Sequence, residues 1–127
     1  MEELLPENCK ITFLRPPGGG VSDAVEQVAE VRGLSILSWS VDPQDWATRD
    51  AWAVEREVLR QVKDGDVILL HDMSDSSVDA ALGLIPKLQA QGYRFVTASE
   101  LAAAKGISLL PGKQYSRFDP EFADAPK

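Results

Sequence analysis

The sequence predicts an α/β fold with about four parallel strands and flanking helices. Three observations carry that expectation. Apolar runs of strand length alternate with stretches whose apolar residues recur at helical spacing. Glycines sit at the helix-to-strand junctions. The run Val67-Ile68-Leu69-Leu70 is continuously apolar, as in a strand covered on both faces of a parallel sheet.

Residues 11–15, 34–41, 67–71 and 94–97 read as the strands. Between them, residues 22–32 open on Ser22 or Asp23 as an N-cap and place Val25, Val28 and Ala29 on one stripe. Residues 50–62 bring Ala51, Val54, Val58, Leu59 and Val62 to one face. Residues 76–91 carry Val78, Leu82, Ile85, Leu88 and Ala90, and Pro86 in their interior predicts a kink or a late helix start. Gly33, Gly65 and Gly92 fill the junctions, and Asp64-Gly65-Asp66 is a turn signal. Residues 99–104 read as a short last helix. Residues 108–127, rich in Pro, Gly and Asp, read as an extended tail. No internal linker is visible, so residues 1–127 form a single domain in this reading.

Composition narrows the partners. Thirteen basic and twenty acidic side chains give a net charge of −7, which repels phosphate backbones and anionic lipid, so neither nucleic acid nor membrane is expected. No apolar run approaches the roughly 20 residues that span a bilayer. The first residues, Met1-Glu2-Glu3-Leu4-Leu5-Pro6, lack the basic and apolar regions of a secretory signal, and the sequence as written reads as cytoplasmic. One cysteine, Cys9, excludes an internal disulfide and reads as a packing residue. The 127 residues hold one domain with a core, but a complete α/β barrel takes about 200–250.

In parallel βα folds, ligands gather at the carboxyl ends of the strands. The first expected strand is followed by Arg15-Pro16-Pro17-Gly18-Gly19-Gly20, the second by Trp39-Ser40-Val41-Asp42-Pro43-Gln44-Asp45-Trp46, and the third by His71-Asp72-Met73. Each piece also has a structural reading. Arg15 reads as a solvated strand-end charge, the glycine run as a tight turn, Asp42 and Asp45 as turn and cap residues, Trp46 and Trp52 as core, and His71 as a strand terminus. Their coincidence on one rim favours a site. The glycine run lacks the lysine and hydroxyl residues of a nucleotide loop.

Three segments in order resemble the motifs of polysaccharide deacetylases, the NodB-like enzymes of chitin and peptidoglycan. Phe13-Leu14-Arg15-Pro16-Pro17-Gly18-Gly19 is similar to R-P-P-x-G, residues 39–46 to W-S-x-D-x-x-D-W, and residues 65–72 to G-D-x-I-L-x-H-D. The likeness runs from about residue 11 to residue 101. It implies a half of a distorted α/β barrel, the C-terminal portion of a NodB-like domain, and hydrolysis of N-acetyl groups on an acetylated glycan.

The resemblance also implies roles. Arg15 would orient a catalytic aspartate, and the amide of Gly18 would help hold the oxyanion, where relatives usually carry tyrosine. Asp42 or Asp45 would pair with the histidine. Trp46 would wall the sugar groove, Leu69 would line the acetyl pocket, and His71 would protonate the departing amine. A carboxylate favours the cationic form of a histidine, which suits an acid. Family members use a divalent metal such as zinc, but the family's T-F-D-D-G and H-S/T-x-x-H motifs do not occur in these 127 residues. No cofactor is therefore expected in this chain, and a truncated or inactive form is expected, with a non-catalytic glycan-binding or assembly half-barrel as the alternative. Related enzymes often act outside the cytoplasm. An open half-barrel leaves strand edges bare, so a homodimer is expected.

Overall fold

The computed structural model describes residues 10–119; Cys9 and the last part of the expected tail lie outside them. Elements follow the chain as β1 (Phe13–Leu14), a 3₁₀ turn (Pro17–Gly19), α1 (Asp23–Val31), β2 (Ser35–Leu37), α2 (Asp45–Thr48), α3 (Ala51–Gln61), α4 (Asp75–Ala90), α5 (Ala98–Ala104) and β3 (Gln114–Tyr115). The fold is mixed α/β, built on a three-stranded parallel sheet in the order β1-β2-β3. Phe13 stands opposite Ser35, and Leu37 opposite Tyr115.

The helices start where side chains cap them. Ser22 Oγ accepts from Val25 N–H, and Asp50 accepts from the amides of Trp52 and Ala53. Thr97 and Glu100 complete a reciprocal capping box on α5, satisfying two otherwise orphan amides. Helix α4 runs unbroken through Pro86 rather than starting after it. Proline has no N–H to give the carbonyl of Leu82, and Leu82 is exposed, so water can serve that oxygen.

Two apolar clusters hold the layers. Val41, Val58, Leu84 and Leu88 join α3 and α4 to the segment bearing Ile68. Ala102, Tyr115 and Phe118 bind α5 and β3 to Phe13 and Leu37. Beside the first cluster, the half-exposed Lys87 reaches across from α4 to the buried Glu55 of α3, Nζ to Oε2 at 2.6 Å.

Four expectations need correction. Residues 67–71 form no full strand: apart from a single parallel bridge of Val41 to Ile68 and an antiparallel bridge of Asp66 to Arg117, no ladder builds there. Residues 94–97 form no strand either, since among the described residues none pairs with them; Arg94, Phe95 and Val96 are exposed, and Thr97 is taken as the cap of α5. Third, residues 108–119 are not a tail. Ile36 N–H donates to the Lys113 carbonyl and Ser38 N–H to that of Tyr115, which makes Gln114–Tyr115 the third strand. The apolar bodies of Tyr115 and Phe118 supply the reason, because both lose almost all contact with water there. Last, Trp46 and Trp52, for which a core reading was open, are 58% and 65% exposed.

Candidate active site

The residues between β2 and α3 shape the site. Asp42 Oδ1 accepts the amide of Gln44 at 2.9 Å, closing an Asx turn. Gln44 (φ 54°) and Arg49 (φ 50°) then bracket the four-residue helix α2 in the left-handed region, which costs a non-glycine residue about 1–2 kcal/mol. Strain on both sides of so short a helix is sustained by what the helix carries. Its first residue, Asp45, is fully buried.

Asp45 is the centre of a polar network. Its Oδ2 accepts from the backbone N–H of His71 at 2.7 Å and from Ser77 Oγ at 2.6 Å. Its Oδ1 lies 2.9 Å from His71 Nδ1. Burial works to raise the carboxyl, but the hydrogen bonds from Ser77 and from the His71 ring and amide outweigh it, and the group is held below its ordinary value. Asp45 is thus held ionised. An ionised carboxylate only accepts, so His71 Nδ1 carries the proton of that contact, and Nε2 is left as the ring's free nitrogen. The His71 side chain is 40% exposed, which opens that nitrogen to a ligand.

Of the two aspartates open in the sequence, Asp45 meets the histidine. Asp42 does not, because its carboxylate is spent on the Asx turn. Arg15 meets neither carboxylate. Its guanidinium lies 4.4 Å over the Trp39 ring and donates to the Pro16 carbonyl. Gly18 has φ +71° with open space where a side chain would be, whereas a Cβ on Gly19 would sit 2.3 Å from the Trp39 ring. The R-P-P-G-G turn is therefore packed against Trp39. Trp46 projects into solvent next to Asp45. Leu69 is half-buried and donates its amide to Val41 at 2.9 Å.

Ser77 escaped the sequence reading. It is 2% exposed at the start of α4, and its signal was the run Ser74-Asp75-Ser76-Ser77 directly after His71-Asp72-Met73.

The donor set does not fit a zinc site of about three protein ligands. The chain has one histidine, and Asp45 engages its Nδ1. Among the described residues no three His, Cys, Asp or Glu side chains gather around a common point.

No family model matches the chain. Individual proteins do. It is 43% identical over 104 residues to the peptidoglycan-N-acetylglucosamine deacetylase PgdA of Listeria monocytogenes, over 82% of this chain and 21% of that protein. The solved structure of the peptidoglycan deacetylase PdaC from Bacillus subtilis superposes with a TM-score of 0.71 at 37% identity, covering 79% of this chain and 48% of that one. A CE4-family pseudoenzyme from Bacillus anthracis superposes with a TM-score of 0.67 at 27% identity, covering 88% of this chain and 37% of that one. Xylan-directed relatives also match, among them a bifunctional xylanase/xylan deacetylase of Cellvibrio japonicus. The chain thus spans well under two thirds of the length of these proteins. With the three motifs and the α/β frame, these likenesses place the chain in the NodB-like polysaccharide deacetylase family, CE4, of whose members it spans a part.

Proposed function

We propose that the chain supplies the proton-donating side of a site that removes N-acetyl groups from a chitin- or peptidoglycan-type glycan. The observation that carries this is the Asp45–His71 pair, in which a buried ionised carboxylate holds the ring and leaves Nε2 outward. Amide hydrolysis needs an attacking water, charge relief on the tetrahedral oxygen and a proton for the leaving amine. His71 meets the third need by giving a proton from Nε2, with Asp45 holding the ring at Nδ1. Trp46 offers its exposed ring beside the pair as a surface for a sugar face. Arg15, Gly18 and Leu69 belong to the same rim by motif, with Gly18 free to offer its amide to an oxyanion. The family's T-F-D-D-G and H-S/T-x-x-H motifs do not occur in the sequence, so the isolated chain is expected to bind glycan without turning it over.

The test is an NMR titration with N-acetylchitooligosaccharides, run beside an acetate-release assay with and without zinc. Trp46 and His71 resonances are expected to shift together at millimolar sugar, with no acetate formed. Silence of both residues would overturn the glycan reading. Zinc-dependent acetate release lost in His71→Ala would overturn the inactivity.

The proposed homodimer has narrower support than the bare half-barrel suggested, because β3 occupies one edge of β2. What remains is an open cavity of about 930 Å³ floored by Leu84, Ile85, Leu88, Val96 and Leu101. Its lining carries Lys63, Arg94 and Lys105 together with Asp64, Asp66 and Glu100, a balance of signs that a two-fold axis can pair with itself. Sedimentation at micromolar concentration is expected to give twice 13.9 kDa. A soluble monomer would refute it.

A further inference from the structure

We infer that Ser77 is a positioning residue for the proposed acid: its hydroxyl, itself held by Ser74, fixes the Asp45 carboxylate so that the His71 ring presents Nε2 outward. The inference rests on the reading of His71 as the proton donor.

The direction of each hydrogen bond follows from the chemistry. Ionised Asp45 accepts only, so Ser77 must give it the hydroxyl proton across 2.6 Å. Ser77 Oγ then has lone pairs to spare, and Ser74 Oγ stands 2.9 Å away to donate into one of them. Ser74 is the N-cap of α4 and accepts the amide of Ser77. The result is a one-way chain from Ser74 through Ser77 and Asp45 to the His71 ring, and polarisation along such a chain strengthens its members. The aspartate has no rotational freedom left, because Oδ2 takes two donors from fixed positions, the Ser77 hydroxyl and the His71 amide. With Oδ2 so occupied, Oδ1 is the oxygen that faces Nδ1.

A purely structural hydroxyl would also stabilise the start of α4, so stability alone does not separate the two roles. The His71 ring does. The Nδ1–H proton, sheltered by a buried carboxylate, is expected as a resolved low-field resonance with ring ¹⁵N shifts of the Nδ1–H form. Ser77→Ala, which removes one atom and leaves the helix propensity high, is expected to abolish that resonance and move the Asp45 carboxyl titration to higher pH. Ser77→Thr retains the hydroxyl and is expected to restore both. The inference is overturned if Ser77→Ala keeps the resonance and ring shifts of the parent chain. It is equally overturned if the alanine and threonine variants lose the resonance alike, which would assign the effect to packing. All spectra are taken without glycan, so a failure of glycan binding and a failure of Ser77 to position the ring are read independently.

Discussion

Asp45→Ala is expected to destabilise the chain by about 3–5 kcal/mol, enough to unfold a domain of ordinary stability. The substitution leaves Ser77 Oγ and the His71 amide as donors without an acceptor, each costing about 1–3 kcal/mol. Asp45→Asn retains the shape but must turn an NH₂ toward one of those donors, so it is expected to lie between alanine and the parent. The same group sets an acid limb. Its carboxyl is lower in the folded chain than in the unfolded one, so its contribution is complete above the ordinary aspartate value of about 3.9 and is lost as pH falls through the folded value. The stability of the parent against urea is expected to fall as pH drops below about 3.9, and Asp45→Asn is expected to flatten that slope. An Asp45→Ala midpoint equal to the parent's would show that the network carries no weight.

Phe118→Ala is expected to cost about 3–5 kcal/mol as well, the range for truncating a fully buried aromatic. Its ring stacks on Tyr115 with centroids 5.7 Å apart and planes 8° from parallel. Its amide donates to the Gly65 carbonyl at 2.8 Å, and its own carbonyl sits 2.5 Å from where a Cβ on Gly65 would stand. Gly65 has φ +91°, so only glycine serves there. Loss of amide dispersion or a large drop in urea midpoint is the expected reading. A midpoint within about 1 kcal/mol of the parent would return residues 114–119 to the status of a tail.

Helices α1, α3, α4 and α5 were legible in outline because their signals are local, whereas the four-residue α2 was not read. Ser22 caps α1 as its side chain predicts, whereas Thr97, expected to end a strand, caps α5, and α4 meets Val58 of α3 through Leu84 and Leu88 while the expected Val78, Leu82 and Ile85 stay exposed. β3 was not legible, since two residues between a Pro-Gly turn and an exposed serine carry no strand periodicity, and its pairing is decided by a partner far along the chain. Residues 94–97 have strand composition, but composition supplies no ladder. The choice between Asp42 and Asp45 was hidden for a similar reason. Both lie in one loop, and the left-handed turn at Gln44, invisible in residue type, decides which of them reaches His71. Arg15 shows that a matched position does not fix a side chain's company.

The placement of β3 has a kinetic consequence. The central strand β2, residues 35–37, is zipped on one side to residues 114–115, so its ladder waits for nearly the whole described chain to be made. Helices α3 and α4, joined over a short stretch of sequence, can pair as soon as both have left the ribosome, whereas the sheet is a long-range closure of the kind that slows folding. Until Tyr115 and Phe118 dock, Leu37 and Ala102 lack their cover, which makes those two aromatic residues the latch on an otherwise adhesive nascent chain.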